Sequence, residues 1–236
     1  MAVRPPSATT LTFADRAVYL DDADTVVVAD LHLGRADASR VAAPIDATES
    51  IRRRVRGLLD RFTPETIVFA GDLLHSFDRL PAVATEAVEG LWDDCTSTGV
   101  EPIAVAGNHD SRLAECWPGT VDDAVAVEDG TIVCHGHTQP PERGHRYVVG
   151  HTHPAITIEG VKRPCYLFGE EAYRGGELVV LPAFTRLAGG VDLAGRRASD
   201  LPSPLVSSRT LQPVVWDDDR DDALWFPPLA QLQPLL

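Results

Sequence analysis

Three times in succession the chain runs through a short apolar segment and stops on residues that can hold a cation. Thr25-Val26-Val27-Val28-Ala29 ends in Asp30-Leu31-His32, Thr66-Ile67-Val68-Phe69-Ala70 in Gly71-Asp72-Leu73-Leu74-His75, and Pro102-Ile103-Ala104-Val105-Ala106 in Gly107-Asn108-His109-Asp110. Unbroken apolar runs of this length read as strands buried on both faces, which points to a largely parallel sheet with cover on each side. Open α/β sheets bind their ligands at the carboxyl ends of the strands, where these polar residues fall. Two later runs repeat the pattern. The segment before Cys134 leads into His135-Gly136-His137, and Tyr147-Val148-Val149 leads into Gly150-His151-Thr152-His153. Side chains two apart on an extended segment share a side, so Asp30 with His32, and His151 with His153, are each expected to face one way.

The intervening chain supplies the cover. Over residues 48–62 Ile51, Val55, Leu58, Leu59 and Phe62 recur at helical spacing, with Thr48 as the expected N-cap and arginines 52, 53, 54, 56 and 61 as a solvated face. A nucleic-acid contact by those arginines is the secondary reading. Residues 81–97 read as a second helix closed by Gly99, residues 10–20 as a hairpin, and Asp129-Gly130 as a hairpin turn. AITIEG, CYLFGE and residues 176–182 read as further strands, residues 196–204 as a polar loop, and Asp217 to Asp222 as a solvated acidic turn. The apolar end, LWFPPLAQLQPLL, needs cover from the core or from a subunit contact. The whole is expected to be one domain over 1–236, with a motif core at 25–185 and a C-terminal extension from about residue 196.

Charge limits the partners. Lys and Arg total 21 against 35 Asp and Glu, a net charge of −14, and Lys162 is the single lysine. This balance argues against broad phosphate-backbone binding but leaves room for a local basic groove. It also reads as a halophilic surface, so stability is expected to rise in molar salt, and a melting temperature unchanged by salt would refute that. Cys95, Cys116, Cys134 and Cys165 form no Cys-x-x-Cys pair and read as small buried hydrophobes in a reducing cytoplasm. No window approaches the roughly 18 apolar residues of a membrane span.

Any one of these motifs could be a capping Asp or a core His. Five together, each after a β run, are a ligand set. His32, His75, His109, His135, His151 and His153 join Asp30, Asp72 and Asn108, more than one ion needs. Two metals sharing a carboxylate is the natural solution, a design that clamps the attacking and leaving oxygens of an in-line phosphoryl displacement.

In order and spacing, Asp30-x-His32, Gly71-Asp72-x-x-His75, Gly107-Asn108-His109-Asp110, His135-Gly136 and Gly150-His151-x-His153 resemble the five motifs of the calcineurin-like metallophosphoesterase superfamily. The resemblance implies a four-layer α-β-β-α sandwich with a dinuclear centre. Asp30, His32 and His153 would hold one metal, Asn108, His135 and His151 the other, and Asp72 would bridge. The nucleophile would be solvent acidified by the metals. His109 would reach the substrate as the catalytic histidine, His75 would assist it, and Asp110 would orient it, with a capping role equally open. His137 reads as a neighbour of the site, and His145 has no assigned role.

The second motif separates branches. Superfamily protein phosphatases resemble Gly-Asp-x-x-Asp-Arg-Gly, whereas this chain reads Gly71-Asp72-Leu73-Leu74-His75-Ser76, similar to the double-strand-break repair nucleases. ADLHLG, GHTHP and LPAFTRLAGG look like the small phosphoesterase group that includes the DNA-ligase-associated phosphoesterases. The short remainder after residue 185 leaves no space for the DNA-capping domain of the large nucleases. The expected activity is thus phosphodiester hydrolysis on DNA, RNA or a nucleotide, with manganese favoured and iron, zinc or nickel open. A phosphomonoesterase of small metabolites is the alternative, and a homodimer is open. A non-catalytic binding module would be expected to have lost a ligand, and no motif position is missing.

Overall fold

The structure is a computed structural model that describes residues 4–34, 44–75, 80–193 and 196–232. Ser76 and the last four residues of the apolar end lie outside the described residues.

Two sheets face each other. The first has six strands in sequential order: β1 Leu11–Ala14, β2 Ala17–Leu20, β3 Thr25–Val28, β4 Thr66–Ala70, β5 Glu101–Val105 and β6 Val121–Asp122. β1 to β3 are antiparallel and β3 to β6 parallel, so the three apolar runs lie side by side and point the same way. Helix α1 (Pro44–Phe62) joins β3 to β4 and helix α2 (Ala82–Thr96) joins β4 to β5. Right-handed crossovers between strands laid down in one direction put both helices on the same face.

The second sheet uses β7 Ala124–Ala126, β8 Ile132–Cys134, β9 Arg146–Val149, β12 Tyr166–Tyr173, β13 Gly176–Val180, β15 Gln212–Asp217 and β16 Asp222–Trp225, in the order β16-β15-β12-β13-β9-β8-β7. A small third sheet joins β10 Pro154–Ile158 to β11 Val161–Pro164 and β14 Val191–Asp192.

The two-residue period of the strands sorts side chains into separate cores. Val26, Val28, Ile67 and Phe69 turn toward the helices, where they meet Ile51, Val55, Leu59, Val88 and Leu91. Val27, Ala29, Val68 and Ala70 turn the other way and pack between the sheets against Val133, Val148, Val179 and Leu181. Ile132, Tyr147, Val149 and Val180 face a third core. The sandwich expected from the sequence is present, and its outer layer over the second sheet is mostly irregular chain. Leu193, Leu201, Leu205 and Val206 supply that cover, with a single turn of helix, α3 (Leu229–Leu232).

Several local expectations are revised. α1 begins at Pro44, so Thr48 lies inside the helix instead of capping it; proline suits the first turn because its missing N–H has no partner there anyway. The α1 arginines are mostly struts, not a free solvated face. Arg52 and Arg56 both engage Asp94 on α2, Arg54 holds Asp15 at 2.7 Å and the Phe184 carbonyl at 2.6 Å, and Arg61 reaches Asp221 in the acidic turn. The C-terminal segment is no appendage. β15 pairs with β12, and Trp225 is buried between the sheets against Phe13 and Phe168. The apolar end therefore finds its cover in the core, where Leu229 and Leu232 also bury. All four cysteines are free and buried, and Cys95 and Cys134 are pushed up to about 12 by burial, as small hydrophobes would be.

Candidate metal centre

The carboxyl ends of β3, β4 and β5 in one sheet, and of β8 and β9 in the other, meet at one edge of the sandwich. Pairing continues past the strands: His32 N–H donates to the Asp72 carbonyl at 2.9 Å and Leu33 N–H to the Leu73 carbonyl at 2.7 Å, so the first two motifs run as one ladder. In the second sheet Gly150 N–H likewise donates to the His135 carbonyl at 3.0 Å, and across the sheets His151 N–H reaches Asp30 Oδ2 at 3.0 Å.

The same-side projection arises differently from the expected pleat. Asp30, His32, Asp72, His151 and His153 all have positive φ, between 45° and 63°. Asp and His enter the left-handed region more readily than most residues, yet each such residue still costs on the order of 1 kcal/mol. The chain turns at each ligand, and convergence comes from these turns. Two glycines make room. A Cβ at Gly107 would collide with the Asp72 carboxylate and backbone nitrogen, and one at Gly71 (φ 82°) would strike the His135 ring.

The donors form two groups. Asp30, His32 and His153 bring one ligand atom each within 4.8 Å of one another, and Asp30, Asp72 and His135 form a second set. Asp30 is the carboxylate common to both. His153 Nε2 lies 3.0 Å from Asp30 Oδ1 yet is buried without a hydrogen bond among the described residues, and both ring nitrogens of the buried His32 have no partner among them either. A buried imidazole with two orphaned nitrogens is costly unless something else satisfies it. Burial also drives the His32 pKa down to about 4, outweighing Asp30 and Asp72, so at neutral pH its ring is uncharged and offers a lone pair.

The second group is set by a tautomer. His135 Nδ1 lies 3.1 Å from the Ala70 carbonyl, which can only accept, so the proton belongs on Nδ1. Its Nε2 then faces Asn108 Oδ1 at 3.1 Å and Asp72 Oδ1 at 3.4 Å. Burial opposes a second proton on this ring, but Asp72 and Asp30 outweigh it and raise the His135 pKa, so a proton on Nε2 takes the place between these atoms that a cation would fill. Burial opposes ionisation of Asp72, but His135 and His109 hold its pKa down to about 2. His151 stands beside this group, its ring 5.0 Å from that of His135, and burial followed by the His135 charge lowers its pKa. Mixed imidazole, carboxylate and amide donors of this kind fit divalent transition metals.

The remaining histidines sit at the mouth. The His109 ring is 5.5 Å from that of His32, with Nε2 3.8 Å from Asp72 Oδ2, while its backbone N–H donates to Asp72 Oδ1 at 2.9 Å. The His75 ring lies parallel to it, 6.2 Å away and inclined by 15°. His137 lies 5.3 Å from the His135 ring and 6.1 Å from that of His151. His145 faces Asp129, away from the motifs.

The Asp110 carboxylate is engaged by the backbone of two motifs. Its buried carboxylate accepts N–H bonds from Gly107 at 2.9 Å, Leu74 at 2.9 Å and Leu73 at 3.2 Å, tying the third motif to the second. Two contributors were given no part in the site by the sequence, although the second lies in the LPAFTRLAGG stretch that carries the resemblance. The polar loop at 196–204 supplies Ser203, whose hydroxyl donates to the Gly136 carbonyl at 2.6 Å, and Pro202, whose backbone meets the His151 ring. The segment after β13 supplies Phe184 and Thr185, whose N–H groups cap Ala29 and Asp30 at 2.8 and 3.2 Å. Asp110→Ala would leave three backbone donors without their acceptor. It should cost about 2 kcal/mol or more in urea unfolding and weaken metal binding about 10–100-fold. A variant unchanged in both would show that Asp110 is not this strut.

Comparison with known proteins agrees with this geometry. The sequence pattern of the calcineurin-like phosphoesterase family matches residues 24–193. Among curated proteins none matches. The crystal structure of Pseudomonas putida nuclease MPE superposes with a TM-score of 0.60 at 23% identity, covering 87% of this chain and 91% of that one. The Escherichia coli phosphoesterase Yfce gives a TM-score of 0.46 at 17% identity, covering 86% of this chain and 98% of that one. The family pattern spans well over half of the sequence and includes every strand end that brings a ligand to the centre, so the chain belongs to the calcineurin-like phosphoesterase family, whose members are metal-dependent phosphoester hydrolases.

Proposed function

We propose that this chain is a dinuclear metal-dependent phosphodiesterase acting on nucleic acid or a nucleotide. The observation that carries the reading is the parallel pair of His109 and His75 at the mouth of a buried donor cluster. The second of these replaces the acidic residue of the protein-phosphatase branch. The nuclease of similar fold supports the same direction.

In this assignment Asp30, His32 and His153 would hold one cation and Asn108, His135 and His151 the other, with Asp72 as the shared carboxylate and Asp30, which lies within reach of both donor groups, beside it; manganese is favoured over iron, zinc or nickel. When bound, the cations supply charge neutralisation of the phosphoryl oxygens and acidification of water. The side chains do the rest. Asp72, ionised at neutral pH, keeps a fixed negative charge between the groups. His109 is more than a third exposed and faces the opening, placed to stabilise phosphoryl charge or give a proton to the leaving oxygen. His75 lies alongside it, and Asp110 positions the loop that carries it. Four free thiols suit a reducing cytoplasm.

With manganese, turnover of bis(4-nitrophenyl) phosphate should far exceed that of 4-nitrophenyl phosphate; the reverse preference would make the enzyme a monoesterase. His109→Ala should lower kcat about 10²- to 10⁴-fold while the bound metal stays. Unchanged turnover with metal retained would remove His109 from the chemistry.

A further inference from the structure

The first cation group opens sideways into a cleft of about 270 Å³ lined by His153, Arg16, Lys162 and Arg186, among small residues of the 183–190 segment. Positive charge gathered at one place is conspicuous in a chain of net charge −14 with one lysine. Seven other arginines, Arg52, Arg54, Arg56, Arg61, Arg112, Arg146 and Arg220, each have a carboxylate within 4.0 Å, while others such as Arg53, Arg143 and Arg209 stand apart from this cleft without one among the described residues, so it is the gathering of cations here that matters. Among the described residues no carboxylate comes that close to Arg16, Lys162 or Arg186.

The cleft is also built. Arg16 is largely buried and fixed by two carbonyls, Ala183 at 2.9 Å and Thr185 at 2.6 Å, and Lys162 donates to the Gly190 carbonyl at 2.7 Å. The loop carrying Arg186 is anchored at one end by Thr185 N–H on the Asp30 carbonyl and at the other by Val191 N–H on the His153 carbonyl at 2.7 Å. Both anchors are residues of the first cation group. Burial, and then the neighbouring charges of Arg54 and Arg186, lower the Arg16 pKa to about 10, which marks cationic charge awaiting an anion. Arg16 and Arg186 also line the next hollow with Arg163, but Asp15 and Asp218 share that hollow, so the cationic path is confined to the cleft beside His153.

We propose that this cleft binds the phosphate next to the scissile one in a nucleic-acid strand, so that the enzyme prefers oligonucleotides to isolated diesters. The inference rests on the phosphodiesterase reading for its meaning but not for its binding measurement. Arg186 is exposed and Lys162 is at the surface, so replacing them leaves the cores intact. A diester with a single phosphate occupies the metal centre alone and does not reach the cleft.

The test uses manganese-loaded protein and a fluorescein-labelled, cleavage-resistant phosphorothioate single strand, with Kd read by anisotropy over a salt series. Lys162→Ala combined with Arg186→Ala should raise Kd at least about tenfold and flatten the log Kd against log salt slope by about one. Its kcat and KM on bis(4-nitrophenyl) phosphate should match those of the unsubstituted protein. An unchanged Kd, no binding by the unsubstituted protein, or an equal loss on the small diester would overturn the proposal. If the strand is bound and the double variant loses it while neither protein hydrolyses any diester, the cleft stands and the catalytic reading falls.

Discussion

Metal-binding side chains crowded at one junction are the constraint on which the rest of this structure depends. His135 Nε2 lies 3.1 Å from Asn108 Oδ1 and 3.4 Å from Asp72 Oδ1, and His153 Nε2 lies 3.0 Å from Asp30 Oδ1, beside a buried His32 whose ring nitrogens have no hydrogen-bond partner among the described residues. Buried polar groups crowded in this way are costly to leave unsatisfied, and five of the seven proposed ligand residues take left-handed backbone to bring them together. A fold bears that cost where a cation returns more. The surrounding contacts serve the same end: Asp110 clasps two motifs, Gly71 and Gly107 let a ligand of another motif come close, and Ser203 and Thr185 brace the two sides.

Two sheets are needed to make this junction. The first sheet alone delivers Asp30, His32, Asp72 and Asn108, and the second delivers His135, His151 and His153. Each sheet therefore carries an incomplete set, and the inter-sheet core of Val27, Val68, Val133, Val148 and Val179 holds the halves in register. Tyr166 adds a polar tie across the same core by donating to the Ala17 carbonyl at 2.9 Å. Packing far from the centre thus sets its geometry.

Much of this was legible in the sequence because strand burial and ligand chemistry leave local marks. Apolar runs of three to five residues announced β3, β4, β5 and β9, and Asp129-Gly130 announced the turn between β7 and β8. What was not legible is relational. Nothing local distinguishes Asp110 the strut from Asp110 the orienter, since its partners Leu73 and Leu74 lie on another strand end. The α1 arginines looked solvated because Asp94, Asp15 and Asp221 come from distant parts of the chain. The left-handed turns were invisible too: alternation gives the right convergence for Asp30 and His32 by the wrong backbone. Charge along the sequence likewise hid Arg16, Lys162 and Arg186, which come together only when the loop after β13 is anchored between the first and last motifs.

The central claim is that the seven donors form two cation sites that share a carboxylate and otherwise draw on different histidines. Metal content by plasma mass spectrometry, on protein purified without chelator and reloaded with manganese, addresses it most directly. The folded chain should carry two ions, and His153→Ala should carry one while its melting profile stays cooperative. A native stoichiometry below two after saturation, or a His153→Ala protein that still holds two ions as tightly, would contradict it.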